Sequence, residues 1–70
     1  MEFVVCINNQ EYSASLEFRK IYQVLPDEQA NAHQMIRVID ESGEDYLYPR
    51  RYFMPIDLSE TMQKALVASN

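Results

Sequence analysis

The segment Asp40-Glu41-Ser42-Gly43-Glu44 constrains this chain more than any other. It holds the only glycine in 70 residues. It also separates two runs rich in β-branched and aromatic side chains, residues 35–40 and 44–48. A three-residue loop with glycine in the left-handed position is a type I turn followed by a bulge, and it predicts a β-hairpin. In that register Asp40 pairs with Glu44, Val38 with Tyr46, and Ile36 with Tyr48. One face then carries Ile36, Val38, Tyr46 and Tyr48, and the other Met35, Arg37, Ile39, Asp45 and Leu47. A slip of one residue would exchange the two faces.

The rest of the chain is punctuated by Asn and Pro. Residues 3–7 are a short apolar run stopped by Asn8-Asn9, which predicts a strand. Residues 12–18 are compatible with part of a further strand or with an irregular loop. Residues 20–25 alternate and stop at Pro26, which cannot donate to a ladder. Pro26 at a first helical position, followed by Asp27 and Glu28, predicts one helical turn in a polar stretch. Pro49-Arg50-Arg51-Tyr52 predicts a tight turn, because Pro49 fixes φ and ends its strand. Residues 53–58 form a last strand, in which Pro55 marks an edge or a bulge. Ser59 then caps a helix over residues 60–67, with Glu60 in its first turn. Met62, Ala65 and Leu66 make a narrow stripe that packs on the sheet or frays at the helix end. The expected class is mainly β: five short strands in a bent, mostly antiparallel sheet that closes on itself, with a short C-terminal α-helix.

Composition narrows the setting. Seventy residues make one domain, 1–70, with a thin core. Cys6 is the only cysteine, so no disulfide staples the chain, and a reducing, cytoplasmic location is expected. The N-terminal run lacks the basic region of a signal peptide, and no apolar stretch approaches a membrane span. With a net charge of −5, spread over both halves, general attraction to nucleic acid or anionic membranes is not expected.

At Leu47-Tyr48-Pro49-Arg50-Arg51-Tyr52-Phe53 the chain resembles the end of a Src homology 3 domain, where a strand is followed by Pro, two polar residues, Tyr and an apolar residue. Tyr22-x-Val24 and the acidic hairpin fit the same layout. Residues 16–58, and 36–49 above all, also resemble small bacterial SH3-like proteins of unknown function. The resemblance implies a five-stranded SH3-like barrel over about residues 2–58, with the Pro49 and Tyr52 segment as a 3₁₀ turn before the last strand. It brings no activity. Of the peptide groove of Src homology 3 domains only Pro49 and Tyr52 transfer; Asp27-Glu28 is an unaligned counterpart of the acidic specificity loop. The chain has no Trp, which argues against ordinary Pro-rich peptide binding.

The candidate site residues follow from this. Tyr48, Pro49, Arg50, Arg51 and Tyr52 are the expected partner-binding set. Tyr52 is placed on the turn surface, and Arg50 or Arg51 meets an acidic group. The plainer alternative has the two arginines neutralised by Asp45 or Asp57. Among Tyr12, Tyr22, Tyr46, Tyr48 and Tyr52, packing between strands is the ordinary role. Arg19-Lys20 is a second basic pair. Asp40, Glu41, Glu44 and Asp45 read as a solvated hairpin tip rather than a calcium loop. Cys6 reads as a small core side chain and His33 as a loop residue, so no catalytic, metal or cofactor site is expected. One glycine cannot build a phosphate-cradling loop. The expectation is a monomeric, non-enzymatic module that docks a protein partner. The rivals are a nucleic-acid accessory protein with a local basic patch, and a structural subunit joined through an open strand or the Met62–Leu66 stripe.

Overall fold

A computed structural model describes residues 1–68. The element order is β1 (Glu2–Cys6), β2 (Ile21–Leu25), α1 (Glu28–Ala32), β3 (Met35–Ile39), β4 (Asp45–Pro49), a 3₁₀ turn (Arg50–Tyr52), β5 (Phe53–Ile56) and α2 (Glu60–Ala68). The five strands form one antiparallel sheet in the order β4-β3-β2-β1-β5, which leaves β4 and β5 as its two edges. Among the described residues no helix is long and apolar enough to cross a membrane.

The hairpin has the expected register, with Ile36 opposite Tyr48 and Val38 opposite Tyr46. Asp40 N–H donates to Glu44 O and Gly43 N–H to Asp40 O, both at 3.0 Å, and Gly43 sits at φ +83°. The inward face departs from expectation at one place. Ile36, Val38 and Tyr48 are buried, but Tyr46 is 50% exposed. It lies at the outer end of the hairpin, beside Ser15, Ser42 and Asp40, past the loop that covers Tyr48.

The core gathers alternate side chains from β1, β2 and β3 and one from each edge strand: Val4 and Cys6, Tyr22 and Val24, Ile36 and Val38, Tyr48, and Phe53. Strands far apart in the sheet order thus share one cluster, so the sheet is strongly bent around it. The open end is filled by the 7–20 connection, which is an irregular loop. Leu16 from this loop is fully buried, and Tyr12 packs against the cluster. Phe3 is buried on the opposite side of β1 and lines a cleft that Leu66 and Val67 of α2 also border.

Two details of the helices differ from the sequence expectation. α1 starts after Asp27, whose carboxylate accepts from Ala30 N–H at 2.9 Å; Pro26 precedes the cap instead of opening the helix. α2 is capped by Ser59, whose Oγ accepts from Met62 N–H at 3.1 Å. Its expected stripe is only partly covered: Leu66, 40% exposed, borders the Phe3 cleft, Met62 is 49% exposed, and Gln63 and Val67 are partly buried. Gln63 turns back to Leu58 O, which rotates that side of the helix inward.

Gln34 follows α1 with φ +59°, the left-handed position where glycine normally ends a helix. Gly43→Ala should therefore cost about 1 kcal/mol, although nothing crowds its Cβ, and Gln34→Gly should gain roughly 0.5–1 kcal/mol. Leu16→Ala should cost about 2–5 kcal/mol, comparable with the whole stability of so small a fold. Urea midpoints of the three variants check all of this; a Leu16→Ala midpoint equal to wild type would refute the placement of the loop in the core.

Candidate functional site

The chain from β4 to β5 turns through Pro49-Arg50-Arg51-Tyr52 as a single 3₁₀ turn. Pro49 begins it at φ −60°, the value its ring imposes. The turn sends its side chains in opposite directions. Tyr52 points into the core and is 4% exposed, so it does not lie on the turn surface as expected. Its hydroxyl donates to Glu11 Oε1 at 2.7 Å, and that bond keeps the phenol proton on. Tyr48 is also buried; its hydroxyl donates to Asp40 Oδ2 at 2.5 Å. Tyr12 packs edge-on against both rings, with centroids at 5.0 and 5.8 Å. Pro49 is half-buried, and Arg50 and Arg51 are exposed. Of the expected partner-binding set, the structure therefore presents the two arginines and not the two tyrosines.

Arg50 is held in place. Its N–H donates to Gln34 O, and its Nη2 donates to both Asn31 O and Asn31 Oδ1, each at 3.0 Å. Arg51 lies 5.1 Å over the Tyr52 ring. Among the described residues neither guanidinium has a carboxylate partner. Asp45, one of the two acids expected there, is taken by Arg37 at 2.9 Å, and Arg37 also binds Asp27 at 2.9 Å. Asp27 thus serves helix capping and this bridge.

Arg50 and Arg51 border a cleft of about 480 Å³ together with His33, Gln34, Met35, Phe53 and Pro55. A second cleft of about 320 Å³ shares Arg50, Phe53 and Pro55, and adds Glu2, Val4, Asn31 and Ile36. The two form one groove where the bent sheet brings the β5 edge toward the start of β3. Sequence reasoning missed its floor of Met35, Phe53 and Pro55. No short pattern marks it, because the three come together only through the bend.

The other candidates have structural partners. Lys20 pairs with Glu41 at 2.7 Å and lines the cleft by α2, not the arginine groove; Arg19 stacks 4.9 Å over Phe18. The hairpin acids are not gathered around a common point. Asp40 is buried, with Tyr48 and both donors of Ser42 on its carboxylate. Burial opposes its charge, but those three bonds outweigh it and hold the carboxyl below the usual range. Glu41 accepts from Lys20 and Tyr22, which also lower it. Burial pushes the Cys6 thiol up, and its Sγ–H donates to Asn8 O. His33 is exposed at the C-terminus of α1.

Asp40 and Glu41, both lowered in the fold, contribute stability that is present above their unfolded pKa near about 4 and is lost as pH falls through the folded values. Tyr48→Phe removes one donor, so it should cost about 1–3 kcal/mol near neutral pH and shrink the loss on acidification. Urea unfolding of wild type and variant at neutral and strongly acid pH measures both. An unchanged acid slope would show that Asp40 does not carry it.

Comparisons with protein-family models, with curated proteins and with solved structures gave no match for this chain.

Proposed function

We propose that this protein is a small, non-enzymatic interaction module that docks a segment of a protein partner at the Pro49–Tyr52 turn, on an SH3-like barrel formed by its bent sheet. The sheet order β4-β3-β2-β1-β5, with a 3₁₀ turn between β4 and β5, supports the barrel. The observation that carries the docking reading is the pair of exposed arginines. In a chain of net charge −5, Arg50 and Arg51 have no carboxylate partner among the described residues and border a groove with an apolar floor. Arg37, by contrast, is neutralised by two acids.

The tyrosines act differently from the expectation. Tyr48 and Tyr52 hold the turn from inside, while Pro49 and the arginines form the face a partner meets. A non-enzymatic role fits the sealed Cys6, whose raised pKa disfavours the thiolate a nucleophile needs. A monomer in the cytoplasm is the corresponding setting.

Affinity purification from the native cell, run in parallel with wild type and Arg51→Glu, tests this. The variant should fold normally, because among the described residues the Arg51 side chain makes no hydrogen bond, and should lose at least about tenfold of the specific partner. A partner retained equally by both proteins places the docking face elsewhere.

A further inference from the structure

The groove favours one chemistry of occupant, and the inference rests on the docking reading above. We infer that it takes an extended acidic peptide, held by its side chains and not by strand addition. A carboxylate would sit at the Arg50 and Arg51 end and an apolar side chain over Met35, Phe53 and Pro55.

The charge argument comes first. Arg50 is preset by Asn31 and Gln34, and its Nε and Nη1 donors have no partner among the described residues. Arg51 is braced on the Tyr52 ring. Two guanidinium groups ordered before binding lose little freedom when they meet a carboxylate. The two ends of the groove differ in charge. Arg50, Arg51 and His33 border one cleft, whereas Glu2 is the one acid on the adjoining cleft. An acidic group is therefore favoured at the arginine end and disfavoured at the Glu2 end.

The backbone argument excludes the commonest alternative. Tyr52 O accepts from Ile7 N–H, and Met54 and Ile56 stand opposite Val5 and Phe3. By antiparallel alternation the N–H groups of Met54 and Ile56 face β1. The outward positions are Phe53, whose N–H donates to Arg50 O, and Pro55, which has none. The β5 edge thus offers carbonyls and no free donor, so an added strand would leave its own carbonyls unpaired.

The test uses the isotope-labelled full chain and three short synthetic peptides sharing a Leu-Pro-Leu centre: one opening with two Asp and closing with Lys, one with Asn in place of the acids, and one with Lys in their place. A short oligothymidylate is the fourth probe. Binding of the acidic peptide should shift amides of residues 33–36, 50–54 and 56, weaken with salt, and fall at least about tenfold for the Asn and Lys peptides and for Arg51→Glu. Arg50→Glu is the second variant; if it unfolds, Arg51→Glu still decides. Equal binding of the Asn peptide at the same amides overturns the acidic preference and leaves the docking reading standing. Tighter binding of the oligothymidylate overturns the peptide as occupant. Shifts confined to other faces, or none with any probe, overturn both.

Discussion

The bond from the Tyr48 hydroxyl to buried Asp40 is the constraint on which the rest depends. A carboxylate taken out of water costs several kcal/mol unless its lone pairs are filled. Here three donors fill them: the Tyr48 hydroxyl, Ser42 N–H and Ser42 Oγ–H. The two Ser42 bonds fold the hairpin tip, and the Tyr48 bond ties that tip to the centre of the core. The Tyr48 ring in turn meets Tyr12 from the 7–20 loop and Phe53 from β5. Hairpin register, loop position and the start of β5 are therefore coupled through one side chain.

The same device recurs twice. The Tyr22 hydroxyl donates to Glu41, and the Tyr52 hydroxyl to Glu11. Each joins a ring in the core to an acid on a connection. Tyr22 also accepts from Glu17 N–H, fastening the end of the long loop. Exposed ion pairs contribute at most about 1 kcal/mol each, and Lys20 with Glu17 at 3.8 Å belongs to that kind. The Tyr48 bond matters more, because breaking it leaves the buried Asp40 carboxylate short of a donor. A chain without a disulfide thus ties a fourteen-residue connection, residues 7–20, to its core with two tyrosine hydroxyls, the Tyr12 ring and one fully buried leucine.

What the sequence made legible follows from how local the cause was. The hairpin register could be read to the residue, because Gly43 and the alternation on both sides act within one short segment. The turn at Pro49 and the Ser59 cap were equally local. Residues 12–18 stayed ambiguous because Leu16 and Tyr12 are ordered by strands distant in sequence. The Pro49 turn predicts a surface position for Tyr52; only the direction of the 3₁₀ turn decides that it points inward. On α2 periodicity marks an apolar stripe but does not fix how far a helix turns each of its residues to a sheet: Leu66 borders the Phe3 cleft while Met62 is largely exposed. Arg50 and Arg51 could be singled out from the sequence, but their lack of acidic partners depended on Arg37 capturing both Asp27 and Asp45.

That capture explains how an acidic protein keeps a positive groove. Asp45 and Asp27 are held by Arg37, Asp40 by Tyr48 and Ser42, Glu41 by Lys20 and Tyr22, and Glu11 by Tyr52, while Glu2 borders only the adjoining cleft. Each of these carboxylates already has a donor elsewhere, and none of them pairs with Arg50 or Arg51. At a Debye length of about 8 Å, charges beyond the groove rim are largely screened, so the net −5 does not set the field there. The local field is set by two arginines whose own positions are fixed by Asn31, Gln34 and the Tyr52 ring. The tyrosine locks and the bare arginines are thus two outcomes of one distribution of hydrogen bonds.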